Sequence, residues 1–384
     1  MINFTTSDIN SILNDIARAL DLSDSLFEEA ESKYKAVGTW LGEGNSPLAL
    51  YSPEIFPQGS FGLGTVVRPL SETYDLDLVF KLAISKGQIS PYDLKKLVGD
   101  RLKAHETYRK MLDEEGRRCW TLQYADGARF HMDILPAIPD SDFPIILKNQ
   151  GLPFSWANTS LAITDKTWPN YYVINSDWPR SNPRGFAAWF RTRMIVQYTE
   201  LRKQFAEAMK ADIANVPDYK IKTPLQRCVQ LLKRNRDIIF ARDPEDRPIS
   251  IIVTTLAAEA YNNEPSIVDA LTNIVRQMPA YIKMRDGKVW IQNPVNPLEN
   301  FADRWKDHPE SERKLRTWLT GLEAALDEVL TYKDQNKVSK LLEALFGEKV
   351  TQDTIKKFTE TAGAQTKTIY PVVSITHTNK PWRP

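Results

Sequence analysis

The sequence predicts a mixed α/β protein with two lobes, in which strands precede residue 150 and helices follow it. Two apolar strand patterns, at residues 74–82 and 129–135, lie downstream of a glycine-containing turn, and long helical periodicities follow after residue 186. At 384 residues the chain also exceeds one typical hydrophobic core. We therefore expect a first lobe over 1–150 that includes N-terminal helices, a helical lobe over 151–335, and a C-terminal helix with an extended tail over 336–384.

The first lobe is predicted from alternating apolar patterns and turn residues. Two helices are expected between Ser7 and Leu41, where apolar residues recur with helical spacing. The elements that follow are a strand at Pro53–Phe56, a turn at Gln58-Gly59-Ser60, a strand from Tyr74, a helix at Tyr92–Leu112, and a hairpin of Cys119–Gln123 with Arg129–Leu135 around Asp126-Gly127. Pro136 and Pro139 are then expected to end the sheet.

Residues 136–184 are rich in Pro, Asn, Ser and Trp and predict a long ordered crossing between the lobes. Trp156, Trp168 and Trp178 would anchor it by packing, with stacking on a base as the alternative. The second lobe is then predicted as helices at Phe186–Lys210, Thr223–Asp237, Ser250–Tyr261, Ser266–Met278 and Glu310–Tyr332, with a small hairpin at Lys283–Gln292 and an extended tail from Thr361.

Three aspartates form the pattern from which a function can be argued. Asp75 and Asp77 are separated by one residue in a strand, so their side chains point to the same face. Asp133 lies between apolar residues in a second predicted strand. Carboxylates at the mouth of a buried strand repel one another and lose hydration unless a cation compensates. The pattern predicts a three-carboxylate site for Mg²⁺, with Mn²⁺ as an alternative, of the kind that phosphoryl transfer from a nucleoside triphosphate requires.

Composition excludes several classes of protein. Fifty basic and 49 acidic residues give a net charge of +1, so there is no global basic field for nucleic acid. The two cysteines, Cys119 and Cys228, are far apart and predict neither a disulfide framework nor a structural zinc. Without a signal-peptide pattern or an apolar run long enough to span a membrane, we expect a cytoplasmic protein with no membrane partner.

Several segments together resemble one family. They are Gln58–Thr65 (QGSFGLGT), Asp75-Leu76-Asp77 with Asp133, Lys222–Asp237 (KTPLQRCVQLLKRNRD), Pro248–Leu256 (PISIIVTTL) and Asn293–Trp305 (NPVNPLENFADRW). Over roughly residues 5–330 the chain resembles the cyclic GMP–AMP synthase and DncV-like nucleotidyltransferases of the oligoadenylate synthetase superfamily. It most resembles the bacterial CD-NTases of anti-phage CBASS systems.

The resemblance implies a polymerase-beta-like nucleotidyltransferase lobe with its active site in the cleft against the helical lobe. It implies that Asp75, Asp77 and Asp133 are the catalytic and metal-binding residues, and that Asp133 also helps to deprotonate the acceptor hydroxyl. It assigns nucleotide binding to Gln58, Gly59, Ser60, Lys222, Arg227, Lys233 and Ser250. The free N–H groups at the start of a helix suit Ser250 to an anion, whereas Lys233 has an exposed cationic position as its alternative interpretation.

The implied activity is the joining of NTPs, ATP among them, into a cyclic di- or trinucleotide that a downstream effector reads. No ligand set for a zinc thumb and no basic surface are present, so no nucleic-acid activator is expected, which leaves room for a regulatory protein partner. Two alternatives stay open. One is another polymerase-beta-like transferase that adds nucleotides to RNA or to a protein, and the other is a non-catalytic binding module.

Overall fold

The structure is a computed structural model of the chain and describes residues 3–70, 74–124, 130–209 and 221–367. The elements of the sheet-containing part are α1 (Thr6–Ala19), α2 (Asp24–Gly42), β1 (Glu54–Pro57), α3 (Gly59–Gly62), β2 (Tyr74–Lys81), α4 (Pro91–Lys103), α5 (Glu106–Met111), β3 (Trp120–Tyr124), β4 (Phe130–Pro139), α6 (Phe143–Asn149), β5 (Leu161–Ile163) and β6 (Arg180–Ser181). The remaining elements are α7 (Pro183–Met209), α8 (Pro224–Ile239), α9 (Ser250–Ala260), α10 (Ile267–Gln277), β7 (Lys283–Arg285), β8 (Lys288–Trp290), β9 (Gln292–Asn293), β10 (Asn296–Asn300), α11 (Pro309–Thr331), α12 (Gln335–Phe346) and α13 (Glu348–Lys367).

A mixed sheet forms the centre of the first lobe, which confirms the predicted α/β class. Its strands run in the order β1-β2-β4-β5-β6, with β3 paired to the N-terminal half of β4. The β2–β4 pair is parallel and the other pairs are antiparallel. Since parallel neighbours need a crossover, α4 and α5 lie between β2 and the β3–β4 hairpin in the chain.

Period-two alternation gives the sheet two different faces. Leu76 and Leu78 of β2 are fully buried in the core that the sheet shares with α2 and α4, as is Ile134 of β4. The intervening residues of the same strands point to the opposite face, where the three aspartates lie. The hydrophobic pattern of these strands therefore also determines which face is polar.

The helices after residue 183 enclose a second and larger core. Thr223 begins α8 with a capping box to Gln226 and Pro224 in the first turn, as the sequence predicts. The apolar residues of α8 to α13 pack together with those of α1. None of the helices that the structure describes is both long and apolar enough to cross a membrane.

The structure corrects the predicted end of the sheet. Pro136 lies inside β4, which continues to Pro139. On one edge of β4 it pairs with Phe80 of β2. On the other edge it is tolerated because it falls between β3, which pairs as far as Ile134, and β5, which begins to pair at Ala137.

Other differences concern the crossing and the tail. The crossing contains α6 and supplies β5 and β6 to the sheet, and the helix expected at Tyr92–Leu112 is divided into α4 and α5. Trp178 is 1 % exposed and packs in the core, as predicted for an anchor. Helix α13 extends to Lys367 where an extended tail from Thr361 was expected, and the rest of the tail lies outside the described residues, as does the Asp126-Gly127 turn.

The predicted domain limits stay predictions, but the structure differs from the predicted organisation in three respects. Of the two N-terminal helices, α2 packs on the sheet and α1 contributes to the helical core. Strands β5 and β6, beyond residue 150, belong to the sheet. The C-terminal segment contains two helices, α12 and α13, where one was expected.

Candidate active site

The three predicted carboxylates lie on one face of two adjacent strands. Asp75 and Asp77 are on β2, and Asp133 on β4 is the direct register partner of Asp77. Neighbouring strands are about 4.8 Å apart, which brings these two side chains together. The Asp77 and Asp133 side chains, with Thr121 opposite Asp133 on β3, form a row across three strands that we call the carboxylate row.

The carboxylate row is electrostatically unfavourable in the absence of a cation. Burial, followed by the charges of Asp133 and Asp75, raises the pKa of Asp77 to about 6. The pKa of Asp75 is raised in the same direction by loss of solvent and by Asp133. Because 76 % of the Asp75 side chain is exposed, we assign the larger effect to Asp77. The arrangement therefore favours a positively charged ligand.

The turn at Gln58-Gly59-Ser60 lies against this row. Gln58 donates its backbone N–H to the carbonyl of Asp77 at 2.8 Å, and Gly59 and Ser60 begin the four-residue helix α3. Gly59 has a φ of +58°, and a Cβ placed on it would lie 2.4 Å from Oδ2 of Asp77. Glycine is therefore required twice, for the left-handed backbone and for the close approach to a carboxylate.

We expect Gly59→Ala to lower turnover roughly tenfold or more, since a side chain in the left-handed region costs about 1–2 kcal/mol and the methyl group displaces Asp77. Steady-state turnover and a melting curve measure it. Gly44→Ala is the matched control, because nothing lies within 4 Å of a Cβ there and its φ is not in the left-handed range. Equal turnover for both variants would contradict the assigned role of Gly59.

Helix α8 attaches the helical lobe to residues 63–68, the irregular segment that follows α3. Five backbone carbonyls of this segment accept hydrogen bonds from side chains on or just before α8. They are those of Leu63 from Gln226 (3.0 Å), Gly64 from Lys222 (2.6 Å), Thr65 from Lys233 (3.2 Å), Val66 from Gln230 (2.7 Å) and Arg68 from Arg234 (2.6 Å). Backbone carbonyls that are covered and lie outside helices and strands need such donors in place of water. The position of the Gly59-Ser60 turn is thereby fixed relative to the second lobe.

Lys233 is buried where the two lobes meet. Only 5 % of it is exposed, which rules out the alternative of an exposed cationic position. Its Nζ donates to the carbonyl and the hydroxyl of Thr65, and burial and the charge of Arg236 lower its pKa to about 7, opposed by Asp237 and Asp77. An ammonium group with a depressed pKa gains stability when an anion approaches, so Lys233 suits a phosphate.

Ser250 begins α9, as predicted, and its side chain is exposed. Its Oγ accepts a hydrogen bond of 3.0 Å from Arg236, one helical turn beyond Lys233 on α8. The N-cap residue, Ile249, has no side chain that could accept from the first turn. Arg236 is itself paired with Asp237 at 2.7 Å, so it holds the start of α9 next to α8, and Lys233 and the N-terminus of α9 are the groups suited to an anion.

The other two predicted nucleotide-binding residues have defined partners. Lys222 donates to the carbonyl of Gly64, and burial lowers its pKa to about 8. Arg227 points to the C-terminal end of α1, where it donates to the carbonyl of Ala17 and pairs at 2.7 Å with Asp21, which follows the helix. No contact among the described residues joins Arg227 to the carboxylate row, so its nucleotide-binding role stays a prediction.

The donor set fits Mg²⁺ or Mn²⁺ in kind, because it consists of hard carboxylate oxygens. Within the described ranges, no group of three His, Cys, Asp or Glu side chains converges tightly enough to enclose an ion. Mg²⁺ sites in enzymes of this chemistry commonly use one or two carboxylates, with waters and substrate phosphates as the other ligands. The carboxylates therefore form an open site, and the raised pKa of Asp77 favours a cation beside it.

Sequence reasoning did not identify four residues of this region. The Nδ1 atom of His131 lies 3.8 Å from Asp75, and Thr121 is the register partner of Asp133. Thr65 accepts hydrogen bonds from Lys233, and Arg236 donates one to Ser250. Period two from Asp133 could have indicated His131, and helical spacing from Lys233 could have indicated Arg236. Thr121 and Thr65 required the strand register and the packing of α8.

Comparison with known proteins identifies relatives of this chain. Residues 53–136 match the family model described as cyclic GMP-AMP synthase DncV-like, nucleotidyltransferase domain. The chain is 30 % identical over 345 residues to the c-di-GMP synthase of Roseivirga ehrenbergii, covering 89 % of this chain and 85 % of the relative. It is 27 % identical over 385 residues to the cyclic dinucleotide synthase CdnG of Bradyrhizobium diazoefficiens, covering 93 % and 85 % respectively.

Solved structures show the same fold. CdnG of Bradyrhizobium diazoefficiens in complex with GTP superimposes with a TM-score of 0.69 at 22 % identity, covering 91 % of this chain and 97 % of that one. CdnC of E. coli MS115-1 in complex with HORMA-deltaN gives a TM-score of 0.61 at 13 % identity, covering 89 % and 98 %. The two-lobed arrangement described above is therefore shared along nearly the whole chain.

Proposed function

Because this chain belongs to the CD-NTase family of DncV-like nucleotidyltransferases, we propose that it joins two nucleoside triphosphates into a cyclic dinucleotide. As a member of this family it is a nucleotidyltransferase. The observation that carries the proposal is that the carboxylate row and Asp75 lie on one lobe, and Lys233 and the N-terminus of α9 lie on the other. Such a cleft complements both the cation and the anion of a metal-bound triphosphate.

The proposed reaction is a nucleotidyl transfer. A ribose hydroxyl of one nucleotide attacks the α-phosphorus of another, an O–P bond forms, and the bond to pyrophosphate breaks. Asp133 would accept the hydroxyl proton, and Lys233 and the α9 N-terminus would stabilise the departing phosphates. Asp75, Asp77 and Asp133 would hold Mg²⁺, which supplies charge stabilisation at the reacting oxygens. A second transfer between the same two nucleotides closes the ring.

GTP is the first substrate to test, since the relatives include a c-di-GMP synthase and a CdnG solved with GTP. ATP, expected from the sequence resemblance, stays a prediction. We further propose that the product is a second messenger in anti-phage defence that a separate effector reads. A regulatory protein partner is supported by the HORMA complex of the E. coli CdnC.

We expect nuclease-treated protein, in the presence of Mg²⁺ and without added nucleic acid, to convert NTPs into a phosphatase-resistant product. The physical reason is the net charge of +1, which leaves no broad surface for a polyanion. Product mass and nuclease digestion identify the ring, the bases and the linkage. Any weak stimulation by added duplex DNA or RNA should vanish between low and physiological salt, because counterions compete for a few phosphate contacts.

Two outcomes would contradict the proposal. Protein that is inactive until duplex is added, and stays stimulated at about 150 mM salt where the Debye length is about 8 Å, would be a nucleic-acid sensor. Nucleotide that is transferred only to added RNA or protein would favour the alternative, a transferase that modifies a polymer. Asp77→Asn serves as the control for contaminating activity.

A further inference from the structure

We propose that Thr121 is a positioning residue that holds the carboxylate of Asp133 in the carboxylate row. The inference deepens the proposed function and rests on it. The Thr121 hydroxyl donates a hydrogen bond of 2.5 Å to Oδ1 of Asp133. The two residues are register partners in the antiparallel β3–β4 pair, so the contact is built into the sheet.

The register explains why a β-branched hydroxyl residue suits this position. Directly opposed residues of an antiparallel pair have Cβ atoms about 4.5–5.5 Å apart, which a threonine and an aspartate span with one hydrogen bond. Threonine has few χ1 rotamers in a strand, so its hydroxyl is held in place. The acceptor is one oxygen of Asp133, and the second oxygen has no side-chain hydrogen bond among the described residues.

The hydrogen bond from Thr121 counteracts a repulsion between carboxylates of the row. Asp133 lies on the central strand, beside Asp77 on β2, and two adjacent carboxylates repel each other. A donor on the far side of Asp133 offsets that repulsion and limits its rotation. Hydrogen-bond partners of metal ligands commonly set ligand orientation in this way, and removing them typically costs 10–100-fold in metal affinity or activity.

The residues two positions before and after Thr121, Cys119 just ahead of β3 and Gln123 within it, have different partners. Gln123 donates its side-chain amide to Asp113 at 2.7 Å. Cys119 packs with the apolar cluster that contains Val79 and Leu135. Within the described part of this strand, Thr121 is therefore the donor to the carboxylate row.

The test compares Thr121→Val, which keeps the branched shape and loses the donor, with Thr121→Ser, which keeps the donor. Thr164→Val is the matched control, because the buried Thr164 hydroxyl donates to the carbonyl of Arg118 at 2.8 Å, away from the row. Mn²⁺ affinity of the protein alone, measured by EPR titration, is the readout besides activity. We expect Thr121→Val to lose about tenfold in Mn²⁺ affinity and in kcat, with KM for the nucleotide little changed. Thr121→Ser should remain within about twofold of wild type, and Thr164→Val should change only the melting temperature.

Several results would overturn the inference. They are equal losses for Thr121→Val and Thr121→Ser, unchanged Mn²⁺ affinity in Thr121→Val, or a Thr121→Val variant that behaves like Thr164→Val. Wild-type protein that binds no Mn²⁺ would also contradict it, because a carboxylate held ready for the ion is its premise. Failure of the proposed function is a separate result, since it would appear as activity that survives loss of Asp75 and Asp77.

Discussion

Replacing Asp75 and Asp77 together by Asn should lower turnover by at least about three orders of magnitude. The substitution keeps the side-chain volume and removes two negative charges from the face that also contains Asp133. Metal-based stabilisation of the reacting oxygens contributes several kcal/mol, and about 1.4 kcal/mol corresponds to each factor of ten. Product formation from radiolabelled NTPs over a wide range of enzyme concentration measures the loss.

The fold should survive this change, and stability provides the control. Because the folded-state pKa of Asp77, about 6, lies above its unfolded value of 3.8, the metal-free fold binds more protons between these values. Its stability should therefore rise as the pH falls through about 6. Asp77→Asn should remove this dependence and stabilise the metal-free protein at pH 7.5 by about 1–2 kcal/mol, a value reduced for partial exposure.

Turnover and a melting curve together test whether Asp75 and Asp77 hold the metal ion. Near-wild-type turnover in the double variant would remove the metal site from the proposed function. A double variant that is unfolded in a melting curve would be inactive for that reason alone. In that case the turnover of Asp77→Asn, which should fold more stably, tests the metal site.

Lys233→Ala should weaken binding of a nucleoside triphosphate by roughly 1.5–3 kcal/mol, or about 10–150-fold. The reason is the loss of a buried ammonium group placed between Thr65 and Arg236 on the cleft side of α8. Binding of the corresponding nucleoside should barely change. Calorimetric titration with ATP and GTP, each against its nucleoside, measures the difference.

The structure adds a second role that must be separated from phosphate binding, because Lys233 also holds Thr65. Thr65→Val removes the hydroxyl partner and leaves the charge, and should have much the smaller effect on triphosphate affinity. Lys340→Ala, at an exposed position of α12, controls for loss of a lysine in general. Equal losses for triphosphate and nucleoside, or equal losses in Lys233→Ala and Thr65→Val, would mean that Lys233 maintains the fold and does not bind phosphate.

A proton measurement tests the same residue independently. Burial and Arg236 lower the pKa of Lys233 to about 7, so much of it is neutral near pH 8. An anion that binds next to it restores the charge, and triphosphate binding should take up a proton that Lys233→Ala does not take up. Affinity should accordingly be greatest below pH 7 and fall as the pH rises through that value. Calorimetry in buffers of different ionisation enthalpy detects this uptake.

Much of the fold could be predicted because its signals are local. The alternation around Asp75 and Asp77 places both on one face of a strand whatever the rest of the chain does, and it predicted β2 correctly. Thr223-Pro224 similarly predicted the first residue of α8, since a capping box and a proline in the first turn depend only on neighbours in sequence. The helix from Ser250 followed in the same way.

Contacts between distant segments could not be read from such signals. Pro136 was expected to end the sheet, and it is tolerated only because β3 and β5 leave a gap beside it. Lys233 has the sequence neighbourhood of an exposed residue, and its burial results from the packing of α8 on residues 63–68.

The sequence by itself determined the identity of the chemical groups: three carboxylates, a glycine turn, and lysine and serine on two helices. Only the tertiary structure decided that Asp77, Asp133 and Thr121 share one level of the sheet, because that depends on a parallel pairing across more than fifty residues. It also decided that Arg227 faces Asp21 and not the carboxylate row. Residue type is a property of one position, whereas register and packing depend on the free energy of the whole chain.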